Sequence, residues 1–247
     1  MENDLNIFSD YVISNYDMQN RLISEKYSHS IRVSMLMIDL ALRLNLSDED
    51  VRLAFQIGLF HDLGRFKEVI RNKEFNNLIF DHGAYSNKIL FNDCFINNFD
   101  INENDYLTIR KAVYFHNKKD LDNRLTEREA LFANMIRDMD KLDIIDVVLK
   151  KNTLSFTKKH NREVLTNYFK DETIDLKNLK SPTDRVILYL SFLKDLYFDE
   201  SKEIAEERCD LNKIINGVPV SYDNQELFSH LVSKVNTNGH NKVKIKH

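Results

Sequence analysis

Apolar residues in this chain recur three and four positions apart over long stretches, and only two prolines and five glycines interrupt its 247 residues. Those two residue types supply the special backbone angles that tight turns between short strands need. Their scarcity leaves long helices as the way to bury such a pattern. Residues 28–45 carry a continuous stripe through Val33, Leu36, Met37 and Leu40. Ser47 then opens S-D-E-D, a capping pattern with Asp50 three residues on. Val51, Ala54, Phe55 and Gly58 continue at helical spacing to His61, with Gly64 expected as the stop. Residues 65–81 are polar and mixed and read as a loop or short helix. Helices are expected again over 82–91, over 103–116, and over 127–149, the last opened by a second capping box, T-E-R-E, at Thr126.

After residue 150 the pattern weakens. Segments 160–171, 182–199, 201–209 and 225–235 read as helices, with Pro182 in a first turn. The lysine-rich stretch 236–247 reads as a frayed tail. The expectation is an all-α fold. It is a single domain over 1–247, with a core over 20–150 and the helices of 151–235 packed on that core.

The net charge of −4 argues against binding extended nucleic acid, which calls for a basic surface. A small anionic substrate held by a few local cations remains compatible with it. Cys94 and Cys209 lack metal-ligand or redox spacing and read as free thiols of a reducing compartment. The first residues lack the basic stretch and apolar core of a signal peptide, and no apolar run approaches the ~18 residues of a spanning helix. A cytoplasmic protein with no membrane association is expected, with a homodimer open as its oligomeric form.

Several polar side chains fall where their helices are greasy. His29 precedes Val33 by four, His61 follows Gly58 by three, and His116 follows Ala112 by four; Asp140 lies four from both Ile136 and Ile144. One histidine on an apolar stripe is more often a satisfied core residue than a ligand. A cluster of them, with carboxylates whose unpaired burial costs several kcal/mol, asks for shared compensation. A metal ion gives it, because imidazole and carboxylate suit Zn, Fe, Mn, Co or Ni.

The order His29, then His61-Asp62 inside "GLFHDLGRF", then Asp140 inside "IRDMDKLD", with "SHSIRV" at the start, resembles the HD-domain superfamily of metal-dependent phosphohydrolases. The resemblance covers roughly residues 20 to 150. It implies a compact helical bundle with His29, His61, Asp62 and Asp140 as ligands of a first metal. His82 and His116 fall where binuclear members place two more histidines, which would make Asp62 a bridge between one or two divalent transition-metal ions. No GYP follows the pair, unlike the cyclic-di-GMP enzymes of the superfamily. Leu63-Gly64-Arg65 stands where alarmone hydrolases carry acidic residues.

The implied activity is hydrolysis of a phosphate ester or anhydride, by a phosphohydrolase or phosphodiesterase. The substrate would be a nucleotide or related small phosphorylated compound, attacked by a metal-activated hydroxide at Asp62. Arg65 is a candidate phosphate clamp, since guanidinium binds two oxygens at once. Lys118 and Lys119 are weaker substrate-binding candidates, and Asp143 a candidate for orienting a ligand or water. Two other functions fit the same motif: a non-catalytic metal-binding sensor or interaction module, and a di-iron oxygenase.

Overall fold

The computed structural model describes residues 1–73, 80–157, 159–217 and 225–237, and among these there is no strand. The all-α expectation holds. The chain divides into two compact units, Met1–Asp140 and Lys141–His247.

The first unit contains α1 (Glu2–Asn15), α2 (Arg21–Arg43), α3 (Asp48–Phe60), α4 (Leu63–Asn72), α5 (His82–Asn87) and α6 (Tyr106–Phe115). It also holds the start of α7 (Glu127–Lys150). Its core is the apolar stripe of each helix: Val33, Met37 and Leu40 of α2, Ile57 and Phe60 of α3, Ile109 and Val113 of α6, and Phe132 and Ile136 of α7 are fully buried. The starts are chemically marked. Asn20 accepts from the Leu22 N–H at 3.0 Å, Ser47 from Asp50 N–H at 3.2 Å and Asp81 from Ala84 N–H at 3.1 Å. At α7 the capping box closes both ways. Thr126 N–H donates to Glu129 Oε2 at 2.8 Å, and Glu129 N–H donates to Thr126 Oγ1 at 3.2 Å. Buried Asp4 of α1 accepts from Gln56 Nε2 of α3 at 3.1 Å and faces Arg52, which ties the first helix to the third.

Two local expectations are corrected. Gly64 does not stop a helix; it lies in the first turn of α4, a short helix that runs on to Asn72 into the region read as a loop or short helix. The glycine is there for proximity. A Cβ at Gly64 would lie 2.4 Å from the His82 carbonyl oxygen, so its absence lets α4 and α5 touch. The stretch after His82 is not one helix to Phe91 either: α5 passes at Lys88 into a π-helical turn, Lys88–Asn92. Residues 74–79, part of the stretch read as loop or short helix, lie outside the described residues.

The second unit holds the rest of α7, then α8 (Arg162–Phe169), α9 (Pro182–Lys194), α10 (Asp199–Arg208), α11 (Asn212–Gly217) and α12 (Gln225–Thr237). Its polar anchor is buried Asp184. That carboxylate accepts the backbone N–H groups of Asn161 at 2.6 Å, Lys180 at 2.9 Å and Ser181 at 2.8 Å, which fixes the start of α9. The aromatic stretch 188–198 supplies core residues Leu190, Leu193 and Leu196 to this unit. The tail read as frayed lies, from residue 238 on, outside the described residues.

Candidate metal centre

Six polar side chains of the first unit converge in its interior. His29 comes from the middle of α2. His61 and Asp62 form the joint between α3 and α4, with Asp62 at φ −108° and ψ 16°, so one short break in helical geometry sends two adjacent side chains to one place. His82 opens α5, His116 ends α6 and Asp140 comes from α7.

Two histidines are set by the same local device. Each follows the last residue of its helix and folds its ring back over the final turn. His61 Nδ1–H donates to the Gly58 carbonyl at 2.7 Å, and His116 Nδ1–H donates to the Val113 carbonyl at 2.7 Å. A carbonyl only accepts, so the proton sits on Nδ1 and Nε2 is left to point inward. Asn117 presents its Nδ2 at 3.2 Å from Nδ1 of His82, a donor where the other two rings meet a carbonyl acceptor. The end of α6 is held in turn by Arg137, whose guanidinium donates to the carbonyls of Phe115 at 3.0 Å and Lys119 at 3.0 Å, and to that of Lys118.

The inward atoms form two groups that share Asp62. In the first, His29 Nε2 lies 3.3 Å from His61 Nε2, 3.0 Å from Asp140 Oδ1 and 3.6 Å from Asp62 Oδ2. His61 Nε2 lies 3.4 Å from Asp62 Oδ2 and 3.9 Å from Asp140 Oδ1. In the second, His82 Nε2 and His116 Nε2 are 3.0 Å apart and lie 3.6 and 3.5 Å from Asp62 Oδ1. Ligand atoms bonded at about 2.0–2.1 Å to one tetrahedral ion stand about 3.3 Å from one another, and the distances in the two groups run from 3.0 to 3.9 Å around that value. Each oxygen of Asp62 faces its own pair of histidines.

Electrostatics favour the ligating protonation states. Burial pushes the His61 and His82 imidazoles down, against the pull of Asp62, so both stay neutral. Burial alone would raise Asp62, but the Lys26 ammonium beside it outweighs that and holds the carboxyl well below the ordinary carboxylate range. Asp140 is likewise depressed, with burial opposing and His29 and His61 prevailing.

The other sequence candidates are placed differently. Arg65 is no surface cation. It is buried, its Nη1 donates to buried Glu68 at 2.7 Å, and its Nε stands 3.7 Å from Asp62 Oδ1. Lys118 pairs with Asp81 at 2.5 Å and lies over the Tyr114 ring, and Lys119 is exposed. Neither forms an ion pair with the six. Asp143 is buried and belongs to the second unit, where its neighbour Lys141 pairs with Asp195 at 2.5 Å.

Sequence reasoning missed Lys26 and Asn117. Lys26 Nζ stands 2.5 Å from Asp62 Oδ2. It precedes His29 by three on α2, a spacing that puts both on one helix face and was the available signal. Asn117 follows His116 directly and carried none.

No helix among the described residues is long and apolar enough to cross a membrane. A search of curated proteins and one of solved structures found no match. Residues 27–145 match the family model of the HD domain, a span that holds all six converging side chains. With an all-helical fold and a buried His/Asp cluster fit for divalent metal, the segment 27–145 carries an HD domain, the unit typical of metal-dependent phosphohydrolases.

Proposed function

We propose that this chain is a phosphohydrolase that works with two divalent transition-metal ions. One would be held by His29, His61, Asp62 and Asp140, the other by Asp62, His82 and His116. The observation that carries this reading is the division of Asp62: Oδ2 faces one histidine pair and Oδ1 the other, at ligand spacing on both sides. A carboxylate serving a single ion would not need the second pair of buried imidazoles behind it. Divalent ions bound there supply an acidified water, with a pKa lowered from 15.7 toward ~7, and charge neutralisation at a phosphoryl group.

The protein's own part is positioning. The Gly58 and Val113 carbonyls hold His61 and His116 in the tautomer that leaves Nε2 bare. Arg65, balanced by Glu68, keeps a positive charge beside Oδ1 and steadies the carboxylate that the two ligand groups share. In this arrangement it supports Asp62 rather than clamping substrate. Burial of His29, His61, Asp62, His82 and His116 strengthens these interactions.

The substrate class is a phosphate ester or anhydride of a nucleotide or similar small compound. Protein loaded with Mn, Fe, Co, Ni or Zn and offered nucleoside mono-, di- and triphosphates and p-nitrophenyl esters is expected to release phosphate or nitrophenol, and a chelator to stop the release. Fully metal-loaded protein that turns over none of them would defeat the hydrolase reading and favour a sensing or interaction module.

A further inference from the structure

We infer that Lys26 is a phosphoryl-binding residue, which rests on the phosphohydrolase reading above. Its Nζ sits 2.5 Å from Asp62 Oδ2, the oxygen that faces His29 and His61. The position is built on a helix and not on a loop: Lys26 lies one turn before His29 on α2, so the backbone that places the ligand also places the ammonium.

Exposure shows which side of the cluster a substrate meets. The side chains of His61 and His116 are fully buried and that of Asp62 is 3% exposed, whereas Asp140 is 23% and Lys26 16% exposed. The accessible edge therefore lies on the Oδ2 side, and Lys26 stands on it. Arg65, on the Oδ1 side, is more deeply buried and bonded to Glu68.

Charge gives the ammonium its role. With no metal, Lys26 compensates Asp62. Two divalent ions would take up the oxygens of Asp62 and Asp140, and a phosphoryl dianion arriving at the same edge would offer the ammonium a charged partner there. The four-carbon stem of lysine lets the ammonium shift from the carboxylate oxygen to a phosphoryl oxygen without moving α2.

The test uses the full-length, metal-loaded protein and inorganic phosphate as the probe, with affinity measured by calorimetry and metal content by elemental analysis. Lys26→Met should weaken phosphate binding about ten- to a hundredfold, the range for losing one charge-assisted hydrogen bond. Metal per chain should stay unchanged, and Lys26→Arg should recover most of the affinity. An unchanged phosphate affinity in Lys26→Met would overturn the inference. So would a loss of metal in that variant, because Lys26 would then act only through Asp62. The phosphohydrolase reading fails separately, if the metal-loaded unmutated protein turns over none of the phosphate esters and anhydrides offered above.

Discussion

Asp62→Asn is expected to leave a folded helical protein that keeps fewer than one metal ion per chain and loses turnover by more than about a thousandfold, because hydroxide at neutral pH depends on the metal. The size of the effect follows from position. Asp62 is the one residue shared by the two ligand groups found among the described residues, with one oxygen facing each histidine pair. An amide of the same shape offers a single neutral oxygen, so at least one group loses its anionic ligand outright. His82→Ala should be milder in metal content, removing a ligand from the second group alone. Elemental analysis and initial rates on both variants, with circular dichroism as the folding control, check this. An Asp62→Asn protein with full metal and turnover within tenfold of the parent would remove Asp62 from the centre of the account.

Gly58→Ala is expected to cost stability although alanine is the better helix former by about 1 kcal/mol. A methyl group at Gly58 would lie 2.5 Å from Ser34 Cα and 2.9 Å from Ser34 N, both backbone atoms of α2. Carbon atoms rest at about 3.5–4.0 Å, so α2 has to retreat by roughly 1 Å. Overpacking of this kind costs about 1–3 kcal/mol and sometimes more. The functional loss should exceed the stability loss, because the same crossing sets His29 of α2 against His61 at the end of α3, and Gly58 supplies the carbonyl that orients His61. Urea denaturation should give a net destabilisation of roughly 1–2 kcal/mol, and metal competition a loss of at least about tenfold in affinity, in the range seen when a ligand's support is disturbed. A variant as stable as the parent with undiminished metal affinity would contradict the packing argument.

Much of this was legible in the residues. Stripes such as Val33, Met37 and Leu40 mark a buried face whatever the tertiary context, and side-chain caps such as Ser47 and Thr126 act within a few residues, so α3 and α7 start close to where the sequence places them, whereas α2 begins at Arg21, well before residue 28, behind the Asn20 cap that the stripe does not mark. The convergence of His29, His61, His116 and Asp140 could be suspected because each lies on an apolar stripe. What stayed hidden depends on contacts between helices. Gly64 looks like a terminator, yet its function is to let α4 approach the His82 carbonyl, and nothing local distinguishes the two uses. Lys26 reads as a solvated lysine until α2 is laid beside the joint that carries Asp62. Arg65 stands out in the sequence beside the His61-Asp62 pair, but its commitment to Glu68 follows from burial that a charged pair one turn apart does not announce. The division of Asp62 between two histidine pairs is a matter of ångströms and is seen only in three dimensions.

The most direct test of the central claim is the number of metal ions per chain in protein purified without chelator and soaked in turn with Mn, Fe, Co, Ni and Zn. The account predicts two transition-metal ions per chain, falling to one in His82→Ala and His116→Ala. A chain that never holds more than one ion, with His82→Ala and His116→Ala retaining it unchanged, would contradict the binuclear centre built on Asp62.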